Sequence, residues 1–218
     1  MTKADVPTRL LDAAEALFAE RGYHGVSMRQ IADGAGVSVS LAQYHFKAKE
    51  LLFGAVMERR IMAINHKRLM RLDEVEQRSA ATGKIELEDV LRAFLEPTVL
   101  LSRDKASGGV HYAQLISQVT NDPQPHARNV SRTLTDPIAR QTMRVLRLAL
   151  PELDQATLAW CYLFSVGAMI SAISPTGRIR LLSNGEADPD DVTQILELLV
   201  PFLSGGFAQI AALRKPAE

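Results

Sequence analysis

The side chains able to do covalent chemistry are few and poorly placed for it. His111 and His126 stand among unlike neighbours at a separation that matches no metal-ligand spacing. The chain has no His-Glu-x-x-His run, no phosphate-cradling glycine loop and no serine elbow. No catalytic residue, metal or cofactor is therefore expected. Cys161 is the single cysteine, which excludes an intrachain disulfide and a cysteine-based zinc cluster. In its apolar surroundings it reads as a reduced, buried thiol of a cytoplasmic protein. What remains is recognition chemistry. Arg103, His111 and Arg144 are candidate anchors for a carboxylate or phosphate, with a solvated surface position as the competing reading for each.

Charge distribution says where a polyanion would be met. The whole chain is neutral, with 25 Lys+Arg and 25 Asp+Glu. Residues 1–72 hold 11 Lys+Arg against 7 Asp+Glu, a balance of +4, and residues 73–218 hold 14 against 18, a balance of −4. A basic head on an acidic body suits a protein that presents one end to nucleic acid. The polar start, Met1 to Arg9, is followed by no apolar stretch of the kind a secretory signal needs.

The elements that must position these groups are helical throughout, because apolar residues recur at helical spacing and no segment alternates with period two. Leu10, Ala14, Leu17 and Phe18 form the stripe of a first helix, with Thr8 as its expected cap and Gly22 beyond its end. Ser27 caps a second helix that Gly34 and Gly36 break, and Ser38 starts a third reaching about Phe46. Lys49 opens a long fourth helix that fades near Arg78, with a turn over Ser79–Lys84. Further helices are expected at about Leu87–Leu101, Gly109–Val119, Ala127–Leu148, Leu153–Ile173 and Asp190–Leu213. Loops are expected at Asp104–Gly109, Asn121–Pro125, Leu150–Pro151 and Pro175–Pro189. The fold class is all-α.

Three short helices in the first fifty residues, with a glycine-bearing break between the second and third, describe a helix-turn-helix. Gly36 supplies the tight turn, and Ile31, Ala32, Ala35 and Val37 lock the two short helices together, so that the third projects its outer face. The run Ala13-Ala14, Leu17-Phe18, Gly22-Tyr23, Ile31-Ala32, Ala35-Gly36-Val37-Ser38 and Tyr44-His45-Phe46-Lys47-Ala48-Lys49-Glu50-Leu51 resembles the DNA-binding head of the TetR family. The resemblance implies a homodimeric, ligand-released repressor with a head over residues 1–48 and a ligand-binding and dimerisation body over residues 49–218. It also implies DNA contacts from Arg29 on the second helix, from Val39, Ser40, Leu41, Gln43, Tyr44 and His45 on the third, and from Lys49. Tyr44, His45 and Lys49 suit phosphate oxygens, Gln43 an adenine edge, and Val39 or Leu41 a thymine methyl. Core anchoring is the competing role for Tyr44 and His45, and the expected one for Phe46, which shares a face with Phe18. The family's base preferences do not transfer to Ser40–Gln43, so no operator sequence follows.

In the body, Gly108–Ile116 and Leu199–Leu203 are similar to the ligand-binding half of fatty-acid-responsive, PsrA-like TetR regulators, which implies an acyl or acyl-CoA effector. Phe94, Tyr112, Leu115, Met143, Cys161 and Met169 are the candidate pocket residues, with ordinary core packing as the alternative at every one. A DNA-binding regulator with a filled body and no effector is the alternative function. The last two helices are expected to make the dimer interface, with Gly167, Ala168, Ser171 and Ala172 allowing close approach and Phe202, Phe207 and Ile210 giving area. Pro201 is expected to kink the last helix. Ala156–Gly177, 22 residues without a charge, has the length of a membrane span, but its hydroxyls and prolines favour a core or dimer helix.

Overall fold

The computed structural model describes residues 5–105, 107–120 and 125–214, and among them ten helices and no strand. The head comprises α1 (Val6–Arg21), α2 (Met28–Ala35) and α3 (Val39–His45). α4 (Lys49–Thr82) leads into α5 (Leu87–Arg103), α6 (Gly109–Thr120), α7 (Pro125–Ala149), α8 (Gln155–Ile173), α9 (Arg178–Leu182) and α10 (Val192–Arg214). Met1–Ala4, most of the turn expected at Asn121–Pro125 and the side chain of His126 lie outside the described residues.

Local chemistry sets the boundaries. The cap of α1 lies three residues before the expected one: Asp5, not Thr8, is the N-cap, its carboxylate accepting from the Thr8 amide at 3.1 Å. Pro7 sits in the first turn, where a missing N–H leaves nothing unsatisfied, so the helix can begin ahead of it. Ser27 and Gln30 form a reciprocal capping box on α2. Gly34 stays inside that helix, and the stop falls at Gly36, whose φ of 64° is left-handed. Ser38 caps α3, accepting from the Leu41 amide at 3.2 Å.

α4 outruns the expected end near Arg78. The Ser79 hydroxyl donates back to the Glu76 carbonyl at 2.7 Å, and the helix continues to Thr82 before Gly83 closes it. At 34 residues it is about 50 Å long. Other boundaries differ too: α5 runs on to Arg103 and α7 begins at Pro125. α8 begins at Gln155 behind an Asp154 cap, α10 begins at Val192, and α9 lies within the expected Pro175–Pro189 loop. A five-residue helix is too short to leave a readable periodicity. α10 runs on through the exposed Pro201.

α4 is the spine: its first turns pack on α1 and its length on α5 and α7, while α6 rests on both α1 and α5, and α10 on α5. One continuous core links head and body. In it Phe18 meets Phe53 edge-on at 5.3 Å, and Tyr23 meets Phe53 at 4.9 Å. Gly109 permits the tight α5–α6 corner, since a Cβ there would lie 1.7 Å from the Leu101 carbonyl oxygen.

Candidate nucleic-acid interface and effector core

α3 is seven residues long, and only its Ala42 is buried. That one small residue seats the helix on the head and turns the rest of its surface outward. Ser40, Leu41, Gln43, Tyr44 and His45 are exposed, Tyr44 at 78%, and Val39 is half-buried against the core. The Tyr44 and His45 rings stand edge to face at 5.3 Å. A hydroxyl, an imidazole and a primary amide therefore share one outward surface, with Arg29 exposed on α2 beside it in sequence. Core anchoring does not describe Tyr44. Phe46 is half-buried against the core, as its face predicts.

Lys49 departs from expectation. Its ammonium donates to the carbonyls of Tyr23 and Val26, each at 3.0 Å, and lies 4.4 Å from the Tyr23 ring centre. The loop between α1 and α2 leaves carbonyls without helical partners, and Lys49 satisfies two of them. Tyr23 in turn donates its hydroxyl to Glu50 at 3.0 Å, and burial pushes that phenol up to about 12. The start of α4 is thus clamped to the head, with two of the three Lys49 ammonium donors turned to the α1–α2 loop. Arg9 braces the turn from α1, donating to the carbonyls of Ala35 and Gly36.

A second set of ionic bonds ties head to spine. Glu15, buried in the middle of α1, accepts from Arg59 and from Arg60, the latter through both Nε and Nη2 at 2.6 Å. Arg59 also donates to Asp12 at 2.7 Å. Gln118 on α6 donates to the Ala19 carbonyl at 3.0 Å.

In the body, Phe94, Tyr112, Leu115, Cys161 and Met169 are buried and Met143 is half-buried. Three of the six converge on a residue that the sequence reading passed over. Arg68 on α4 is only 6% exposed. It donates through Nε to the Phe94 carbonyl at 2.8 Å and through Nη2 to Thr98 Oγ1 at 2.8 Å. Met169 Sδ lies 3.6 Å from Nη2, and the guanidinium sits 4.4 Å from the Phe94 ring centre. Tyr112 and Tyr162 are the phenols close enough to feel its charge, and burial pushes Tyr112 up to about 12. Among the described residues no carboxylate pairs with Arg68. Leu115 instead lines a shallow groove beside Gly22 and Gln118, and the thiol of Cys161 is pushed up by burial.

Two of the three anchors expected from sequence, Arg103 and Arg144, are occupied. Arg103 bonds to the carbonyls of Ile173 and Pro189 and pairs with Asp190 at 3.0 Å, and Arg144 pairs with Glu76. His111 is half-buried on α6. Arg68 was nonetheless detectable, because it interrupts the stripe Ile61, Ile64, Leu72, Val75 at a position where the spacing calls for an apolar residue.

α8 and α10 are each long and apolar enough to cross a membrane, by length and composition. Each buries one face in the body and exposes another that is also apolar: Trp160 (61%), Leu163 and Phe164 on α8, and Leu198 and Phe202 (74%) on α10. Gly167 and Ser171 fall on the exposed side of α8. Phe207, expected on that outer face, is buried in the chain's own core, and Ile210 packs against it. At about 100° per residue, Phe207 lies roughly 140° around α10 from Phe202.

An outward recognition helix on a helix-turn-helix head, carried by an all-helical body, defines a DNA-binding regulator. The family model for bacterial regulatory proteins of the tetR family matches residues 10–56, and that for the tetracyclin repressor-like C-terminal domain matches residues 92–206. The chain belongs to the TetR family. Over 53 residues it is 45% identical to the HTH-type transcriptional activator FasR of Mycolicibacterium smegmatis, and over 50 residues 42% identical to the HTH-type transcriptional repressor KstR2 of Rhodococcus jostii. These matches span about a quarter of this chain (24% and 23%) and 24% of each relative. The fold extends further. The fatty acid degradation regulator FadR of Bacillus halodurans superposes with a TM-score of 0.65 at 16% identity, covering 92% of this chain and 97% of that one. PfmR of Thermus thermophilus gives 0.59 at 17% identity over 88% and 97%.

Proposed function

We propose that the chain is a cytoplasmic repressor that binds a palindromic operator as a homodimer and is released by a small apolar effector. The observation that carries the DNA half is α3, with one residue holding it down and Ser40, Leu41, Gln43, Tyr44 and His45 facing outward. Tyr44, His45 and Arg29 contact phosphates and fix the register, while Gln43, Leu41, Ser40 and Val39 meet base edges. The exposed apolar faces of α8 and α10 pair with those of a second copy, which sets two heads one helical turn of DNA apart. A membrane would leave the outward recognition helix without a role, so a second copy is the better cover for these faces.

The effector half rests on how the head is attached. α4 is held to α1 by Glu15 with Arg59 and Arg60, and α6 reaches α1 through Gln118. A ligand that shifts α4 or α6 therefore moves the head as a unit, and any difference in its affinity for the two head spacings appears as a loss of operator affinity. The effector is taken to carry an acyl chain, with Phe94, Tyr112, Cys161 and Met169 as its buried surroundings and the half-buried Met143 beside them, while Leu115 lines the separate groove by Gly22; the fatty-acid regulator among the fold neighbours points the same way. A regulator with no effector would show no ligand-dependent rise in melting temperature.

Mobility shift of the upstream DNA with two variants tests the contacts. Tyr44→Ala is expected to weaken binding to every sequence about equally. Gln43→Ala is expected to relax preference at one base pair, costing about 1–3 kcal/mol on the best site and little elsewhere. Unchanged affinity and specificity in both variants would remove α3 from the interface.

A further inference from the structure

Arg68 holds a full positive charge inside the body with only neutral partners. Its guanidinium donates to a carbonyl and a threonine hydroxyl, the phenols of Tyr112 and Tyr162 feel its charge, and the Asp136 carboxylate of α7 acts on Tyr162, but among the described residues no carboxylate pairs with Arg68 itself. Removing a guanidinium from water costs several kcal/mol unless an anion offsets it, and neutral acceptors do so only in part. One turn earlier on the same stripe, Asn65 donates to the Leu134 carbonyl at 2.9 Å while its Oδ1 is buried without a partner. Among the described residues, one acceptor (Asn65 Oδ1) and one charge (Arg68) thus lack a counterpart at neighbouring positions of α4.

We propose that Arg68 is the receptor for the carboxylate of an apolar, single-headed acid, an inference that rests on the effector reading above and specifies its chemistry. A single guanidinium balances one negative charge, which favours a carboxylate over a phosphate near −2. The walls are apolar or aromatic: Phe94 and Tyr162 rings 5.2 Å apart, with Tyr112 and Met169. Met169 sulfur occupies the place beside Nη2 that a carboxylate oxygen would take, and an unbranched thioether is the side chain most easily displaced. Tyr112 belongs to α6, whose Gln118 bonds to α1, so filling this site presses on an element that touches the head.

The test compares dodecanoate, dodecanol and dodecanoyl-CoA on the full-length protein by thermal shift and operator release, below their micellar concentrations. Dodecanoate is expected to raise the melting temperature by roughly 5–10 °C at about a hundredfold excess over Kd, and dodecanol, with no charge to offer, by far less. Arg68→Met removes the charge at similar length. It is expected to fold, to be at least as stable as the parent, and to lose about 10- to 100-fold in dodecanoate affinity. Arg68→Lys is expected to fall between the two. Equal shifts with acid and alcohol in the parent protein would overturn the proposal, as would an undiminished dodecanoate response in Arg68→Met. If Arg68→Met does not fold, the acid–alcohol comparison and Arg68→Lys decide alone. Release of DNA by dodecanol or dodecanoyl-CoA, but not by dodecanoate, would sink the Arg68 assignment and leave the effector reading intact. No response to any of the three would overturn the assignment with operator binding untouched.

Discussion

Phe164→Asp is expected to turn the proposed dimer into a monomer and to lower its operator affinity by about 100-fold or more. Phe164 stands 5.7 Å from Trp160, ring centre to ring centre, on the exposed face of α8. In a two-fold interface the substitution occurs twice, bringing two carboxylates together in an apolar contact where neither has a counter-ion. Because the side chain is exposed in the protomer, helicity should be unchanged, which separates loss of assembly from loss of fold. Light scattering gives the mass and mobility shift the affinity. A dimer of unchanged mass would place the interface elsewhere.

Glu15→Ala is expected to destabilise the head by about 3 kcal/mol, because it strands two arginines around a buried site. Glu15 is 2% exposed and accepts from both Arg59 and Arg60. The melting temperature should fall by roughly 6–12 °C. Asp12→Ala removes a more exposed partner of Arg59 and should cost no more than about 1 kcal/mol. A second readout separates coupling from stability. At a temperature where Glu15→Ala is folded, a bound effector should release less DNA than in the parent, because α1 no longer follows α4. Equal release would move the coupling to α6 and Gln118.

Much of the head was legible in the sequence because its signals are local. Ser27, Gly36 and Ser38 each act within three residues of themselves, whereas Ala42, the one residue that seats α3, was not singled out. The misplaced details were those decided by distant partners. Lys49 has the composition and helix-start position of a phosphate ligand, yet two carbonyls over twenty residues earlier claim its ammonium. Phe207 and Phe202 are equally apolar, and only the packing of α10 on α5 sorts the core residue from the surface one. In the body, six apolar candidates could not be ranked from periodicity, because core and pocket share one composition. The discriminating residue was Arg68, a charge on an apolar stripe. Its meaning depends on its facing neutral acceptors on α5, with no carboxylate paired to it among the described residues, which no spacing along one helix reveals.

Selection of the purified protein against a random double-stranded DNA pool tests the central claim most directly. The expected outcome is enrichment of an inverted repeat whose half-sites lie about one helical turn apart, bound with strong salt dependence and lost in Phe164→Asp. A pool that emerges unenriched, or a directly repeated motif bound equally well by the monomeric variant, would contradict a dimeric operator-binding repressor.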